Sequence, residues 1–149
     1  MPGSEAVVSF DVDAAVNEIE AALDDDEHLH VAAVFTRDAY DLAYVDETTR
    51  SMYGDDGAMR SHFDRIHEYA GIDFSEIGLF VDDLFPVAED VEYVATGMDY
   101  LTVVRLYVGA EGLLCSLSPD ADVTAVVDAV DAALDADLGS TGNSIADGA

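Results

Sequence analysis

The sequence has no lysine, no tryptophan, one cysteine and three prolines in 149 residues. A single thiol, Cys115, excludes an internal disulfide and fits a reducing compartment. The whole basic complement is Arg37, Arg50, Arg60, Arg65 and Arg105. No basic face can be built from it to neutralise phosphates, so DNA or RNA binding is not expected. Glycine-rich phosphate loops are missing too: GDDGAMRS lacks the Walker spacing and its Lys, and no GxGxxG occurs. No stretch reaches the roughly 18 apolar residues of a membrane span, and the N-terminal residues MPGSEAVVSFDVD have no positive region of an export signal. The expectation is a soluble, cytoplasmic protein without a membrane partner.

What the chain has in excess is acid: 33 Asp and Glu, for a formal net charge of −28. Half of its residues are nevertheless hydrophobic, so the charge leaves enough apolar material for a core. Repulsion at this charge density strains a compact state in dilute salt. At about 1 M ionic strength the screening length falls to about 3 Å and the penalty largely disappears. Acid spread from end to end, with Lys excluded, therefore predicts a halophilic protein rather than a localised acidic binding surface.

Residues 1–10 read as a flexible leader, 11–135 as a single α/β domain and 136–149, small and polar, as a disordered tail. Asp11 or Asp13 caps a first helix whose apolar face is Ala15, Val16, Ile19, Ala22 and Leu23. LHVAAVF (29–35) suits a buried central strand, and YDLAYV (40–45) a second strand with Tyr40, Leu42 and Tyr44 on one face. Thr48 or Asp46 caps a first helical turn, and Asp55 or Asp56 a longer helix through Met59, Phe63 and Ile66 that Gly71 stops. Another short helix is expected over 74–85, weakened by Gly78. Residues 93–118 read as three strands joined by two tight reversals, with Val104, Leu106 and Val108 on one face and Val103, Arg105 and Tyr107 on the other. Asp120 or Asp122 then caps a helix striped by Val123, Val126, Val127, Val130 and Leu134. The sum is an α+β fold: a five-stranded antiparallel sheet, the terminal helices together on one face, the middle helices on the other face or over an edge.

Few residues carry candidate chemistry. His28 and His30 stand one apart at a strand start and are weak metal candidates. His62 and His67 are five apart, about 140° around a helix, and so do not share a face. Asp64 can meet His67 and Glu68, and Arg60 can pair with Asp64. Cys115 in a strand reads as a small buried hydrophobe. Arg105, mid-strand, is the candidate anchor for an anionic ligand or a partner's carboxylate, with Tyr93 and Tyr107 flanking it.

The order helix, two strands, helices, three strands, helix resembles the roadblock and longin-like group, and a profilin-like or PAS-like sheet is written similarly. In wording, FTRDAYDLAYVDE, HFDRIHEYAGIDF and VVRLYVGAEGLLCSLSPDADV look like a family of short haloarchaeal proteins of unknown function. The roadblock resemblance implies dimerisation through a helix and an edge strand, and service to small GTPases or signalling complexes without catalysis. The expected function is thus a non-enzymatic regulatory or scaffold domain that self-associates and binds a protein partner, with no cofactor. Two alternatives are a small-molecule-sensing domain with an anionic ligand near Arg105, and a metal-dependent enzyme using His28 and His30.

Overall fold

In a computed structural model, which describes residues 7–84, 87 and 91–148, eleven elements follow the expected order. They are α1 (Val12–Ala22), β1 (Leu29–Thr36), β2 (Tyr40–Val45), α2 (Glu47–Ser51), α3 (Asp56–Glu68), α4 (Ala70–Leu79), a π-turn (Phe80–Leu84), β3 (Tyr93–Gly97), β4 (Thr102–Val108), β5 (Glu111–Leu117) and α5 (Val123–Gly148). The strands form one antiparallel sheet in the order β2-β1-β5-β4-β3. The β1–β2 hairpin and the β3–β4–β5 meander join where β1 pairs with β5.

Local chemistry explains the boundaries. Asp11 accepts the Ala14 N–H at the start of α1, Asp46 the Thr49 N–H at α2, Asp55 the Ala58 N–H at α3 and Asp122 the Ala125 N–H at α5. Each satisfies an amide that the helix itself leaves without a partner. Thr36 closes the first hairpin, its hydroxyl accepting the Asp38 and Ala39 N–H groups. The β4–β5 reversal needs Gly109, whose φ of 64° lies where a side chain would be strained.

The first face of the sheet carries the main core. Val104, Leu106, Leu113, Cys115 and Leu117 meet Ala15, Val16 and Ile19 of α1 and Val126, Val127 and Val130 of α5. Ile19, Leu113 and Leu117 are fully buried, each worth about 1.5–3 kcal/mol by removal from water. The middle helices lie on the second face rather than over an edge: Met59 and Phe63 of α3 pack on Val31, while Phe74 and Ile77 of α4 pack on Phe35 and Tyr107.

Four expectations change. Val8 and Phe10, within the expected flexible leader, are buried in the main core, while residues 1–6 lie outside the described residues. Tyr44 leaves the face of Tyr40 and Leu42, because a register shift between Ala32 and Ala33 pairs Ala32 with Tyr44 and Ala33 with Leu42. One unpaired residue reverses the alternation beyond it, and Tyr44 joins the first face. Gly71 lies inside α4, which starts at Ala70. Tyr69, the C-cap of α3, keeps helical dihedrals (φ −83°, ψ −8°), so one helix passes almost directly into the next. Finally, the α5 backbone is helical to Gly148, where the composition of 136–149 predicts a disordered tail. Among the described side chains of α5, Ala133 is the last one buried in the core and Leu134 packs against it, and we keep residue 135 as the proposed domain boundary.

Candidate functional site

Pairing across the sheet sets the floor of the site. Leu42, Ala33, Leu114, Arg105 and Val94 form one cross-strand row on the second face, and Tyr40, Phe35, Gly112 and Tyr107 form the next. Helix α3 covers the β1–β2 end of this face, and α4 covers the Phe35–Tyr107 row. Between α3 and the β4–β3 end remains a groove of about 500 Å³. Its floor is Ala33, Val103, Leu114 and Arg105, and its far rim Thr96 and Met98. The wall comes from α3 and its cap: His62, Phe63, Arg65, Ile66, His67 and Tyr69. Ile66, Tyr69 and Met98 face this space and remain 37%, 61% and 47% exposed.

Helix α3 is held against the hairpin by polar contacts that helical spacing alone does not reveal. Tyr40 donates its hydroxyl to Asp64. His67 donates Nε2–H to the Thr36 carbonyl at 2.8 Å, which fixes the proton on that nitrogen. The Tyr40 and His67 rings lie 5.1 Å apart, and the Arg60 guanidinium sits 5.7 Å from the Tyr40 ring centre. Tyr53 hydroxyl and His62 Nδ1 are 2.6 Å apart. Asp64 therefore meets β2 rather than His67 or Glu68, and Arg60 lies over an aromatic ring. Burial, then the hydrogen bond to Asp64, pushes the Tyr40 phenol above its ordinary value.

Arg105 is half-buried on the groove floor. Tyr107 shares its sheet face, but it is buried in an aromatic cluster, edge-on to Phe35 at 6.2 Å and 5.7 Å from Phe74. Tyr93 does not join them. Its partner across the ladder is Leu106, so it projects from the opposite face, 40% exposed. Arg105 instead gains Arg65, His62 and His67 as neighbours around the groove. The two histidines diverge around α3, yet the groove is wide enough for both to reach it.

His28 and His30 are close, with ring centroids 6.3 Å apart. His30 Nδ1 is taken by Asp46 at 2.7 Å. Burial pushes the Asp46 carboxyl up, but its bonds to Thr49 and His30 outweigh that and hold it below its ordinary value. Among the described residues no group of three or more His, Cys, Asp or Glu could hold a metal. Cys115 is fully buried, and burial pushes its thiol up to about 12, where the nucleophilic thiolate is scarce at neutral pH. No helix among the described residues is long and apolar enough to cross a membrane.

No known protein family and no curated protein matches the sequence. Among solved structures, the chain is similar to the crystal structure of a Roadblock/LC7 domain from Streptomyces avermitilis, with a TM-score of 0.58 and 11% identity. The match spans 86% of this chain and 94% of that one. At this identity the likeness concerns the fold: a roadblock-type sheet with helices on both faces.

Proposed function

We propose that the protein is a non-enzymatic regulatory or scaffold domain of a halophile that pairs with a second copy of itself and binds another protein. The observation that carries this reading is strand β3. It ends the sheet, runs Tyr93–Gly97 without a charged residue or proline, and has an exposed outer row. Edge strands of monomers are normally blunted by charge, proline or a covering element. In a roadblock-type fold, pairing of two such edges makes a continuous sheet, leaving other surfaces for a partner such as a small GTPase. The acid excess and the absence of Lys support a salty cytoplasm as its setting. Light scattering in multimolar KCl tests the reading: a mass twice the 15.8 kDa of the chain is expected, and a monomer removes its main support.

One observation favours a second reading, a small-molecule-sensing domain with an anionic ligand near Arg105: the cationic lining of the groove. The metal-dependent reading has no such support: among the described residues no group of three or more His, Cys, Asp or Glu gathers around His28 and His30 to hold a metal ion.

A further inference from the structure

Most polar groups around the groove already have partners inside the chain. His67 gives Nε2–H to the Thr36 carbonyl, Tyr40 gives its hydroxyl to Asp64, and Arg105 is engaged as well. Arg65 stands exposed on the rim. None of the described lining residues is Asp or Glu, although acids are 33 of the 149 residues. The rest of the lining is largely aromatic and aliphatic, and Ile66, Tyr69 and Met98 stay open to solvent there, unlike the core on the first face.

His62 keeps one polar edge to offer. Its Nδ1 lies 2.6 Å from the Tyr53 hydroxyl. Burial pushes the Tyr53 phenol above its ordinary value, so the phenol keeps its proton and donates it to Nδ1. With Nδ1 accepting, the ring hydrogen sits on Nε2. That N–H has no partner among the described residues, and His62 lines the groove.

We propose that this groove binds an uncharged aromatic ketone, its carbonyl accepting the His62 Nε2–H and its rings lying along Ile66, Tyr69 and Met98. The assignment rests on the sensing reading for its site and departs from it in the ligand's charge, because the donor it uses is neutral. A carboxylate would surrender strong hydration for one neutral donor, a loss that a ketone does not face. The volume of about 500 Å³ is that of a small-ligand site. Salt favours the same class: at about 1 M it screens charge attraction beyond about 3 Å, while burial of apolar rings is not screened.

The test is fluorescence titration in multimolar KCl with prodan, a neutral naphthyl ketone whose emission changes on leaving water. Displacement follows with acetylnaphthalene, naphthoate and ethylnaphthalene, which share one ring system and carry a ketone, a carboxylate and no polar group. Prodan is expected to saturate one site per chain, with naphthoate weaker than acetylnaphthalene by about tenfold or more. His62→Phe is expected to weaken acetylnaphthalene by about threefold or more, the worth of one neutral hydrogen bond, and to leave ethylnaphthalene unchanged. Loss of both neutral ligands alike, or of neither, overturns the proposal. Naphthoate binding as tightly as the ketone overturns the ligand class and leaves the sensing reading standing; failure of prodan and naphthoate together removes both. Should circular dichroism show His62→Phe unfolded, Ile66→Glu replaces it, setting a carboxylate on the partly exposed wall. It is expected to weaken prodan by about tenfold or more, and retained affinity overturns the proposal. A dimer that Ile66→Glu dissociates, with no prodan bound to the wild type, puts a second copy in the groove and overturns it too.

Discussion

Gly112 should be the least replaceable glycine in the sheet. It lies between Phe35 and Tyr107 across the ladder, and a Cβ built on it comes 2.6 Å from Phe35 Cε1 and 2.7 Å from Cε2, with Cζ nearer still. Carbon atoms in contact normally sit about 3.5–4.0 Å apart. The ring has little room to retreat: Phe35 is 5% exposed and packs against Phe74 at 6.0 Å and Tyr107 at 6.2 Å. Overpacking of this kind costs about 1–3 kcal/mol, and removing a glycine returns about 0.4–1 kcal/mol through the unfolded chain. An approach this close to a confined ring belongs in the upper half of that range, so Gly112→Ala should lose about 1–2.6 kcal/mol net, lowering Tm by about 2–10 °C for a domain of this size. Thermal unfolding in multimolar KCl reads the loss, and near-ultraviolet dichroism should report the displaced aromatic cluster. Trimming the ring supplies the control: in a double-mutant cycle, Phe35→Leu should remove much of the alanine's cost. An alanine as stable as wild type, or costs that simply add, would refute the placement of the Phe35 ring over Gly112.

Two further outcomes follow from charge. Asp46→Ala should cost about 1 kcal/mol near neutral pH, because it removes the α2 cap and the partner of His30. Since the folded carboxyl is held below its ordinary 3.8, its contribution is complete above that value and is lost as pH falls through the depressed one. Stability curves of variant and wild type should thus converge on acidification; a gap of constant size would show that the carboxylate's charge is not what stabilises the cap. Salt should act in the opposite sense to its usual effect on surface pairs, with the net −28 making the fold weaken in dilute buffer and recover in KCl. Unchanged circular dichroism on removing salt would contradict the halophilic reading.

Much of the architecture was legible because it rests on short-range signals. The apolar run 29–35, the alternation of Val103 to Val108 and the α5 stripe each specify an element and its buried face. Caps were narrowed to two candidates each, and in each case the geometry selects one acid, as with Asp46 over Thr48 and Asp55 over Asp56. Register was less legible. The sequence places Tyr93 and Ala95 on one face of β3, but the turn that pairs Gly97 with Thr102 decides which face, and it sets Tyr93 opposite Leu106 instead of beside Arg105. The groove was invisible for a different reason. Its wall on α3 and its floor on β4 are about forty residues apart in the chain, and only the path of α3 across the sheet brings Arg65 and Arg105 to one space. His62 and His67 were set aside for lying on different sides of a helix, an argument that holds for a tight ligand pair and not for an open cavity.

The most direct test of self-association is the free edge of β3. Tyr107 N–H donates to the Glu92 carbonyl, so residues 92, 94 and 96 bond inward to β4, and Ala95 points its N–H outward by the alternation of the ladder. Ala95→Pro removes that outward donor and sets a ring in the path of an approaching strand without breaking an inward bond. Light scattering of both proteins in multimolar KCl is the measurement. A wild-type dimer and a folded Ala95→Pro monomer are the predicted result; a dimer in both would contradict pairing through β3, and a monomer in both would contradict self-association altogether.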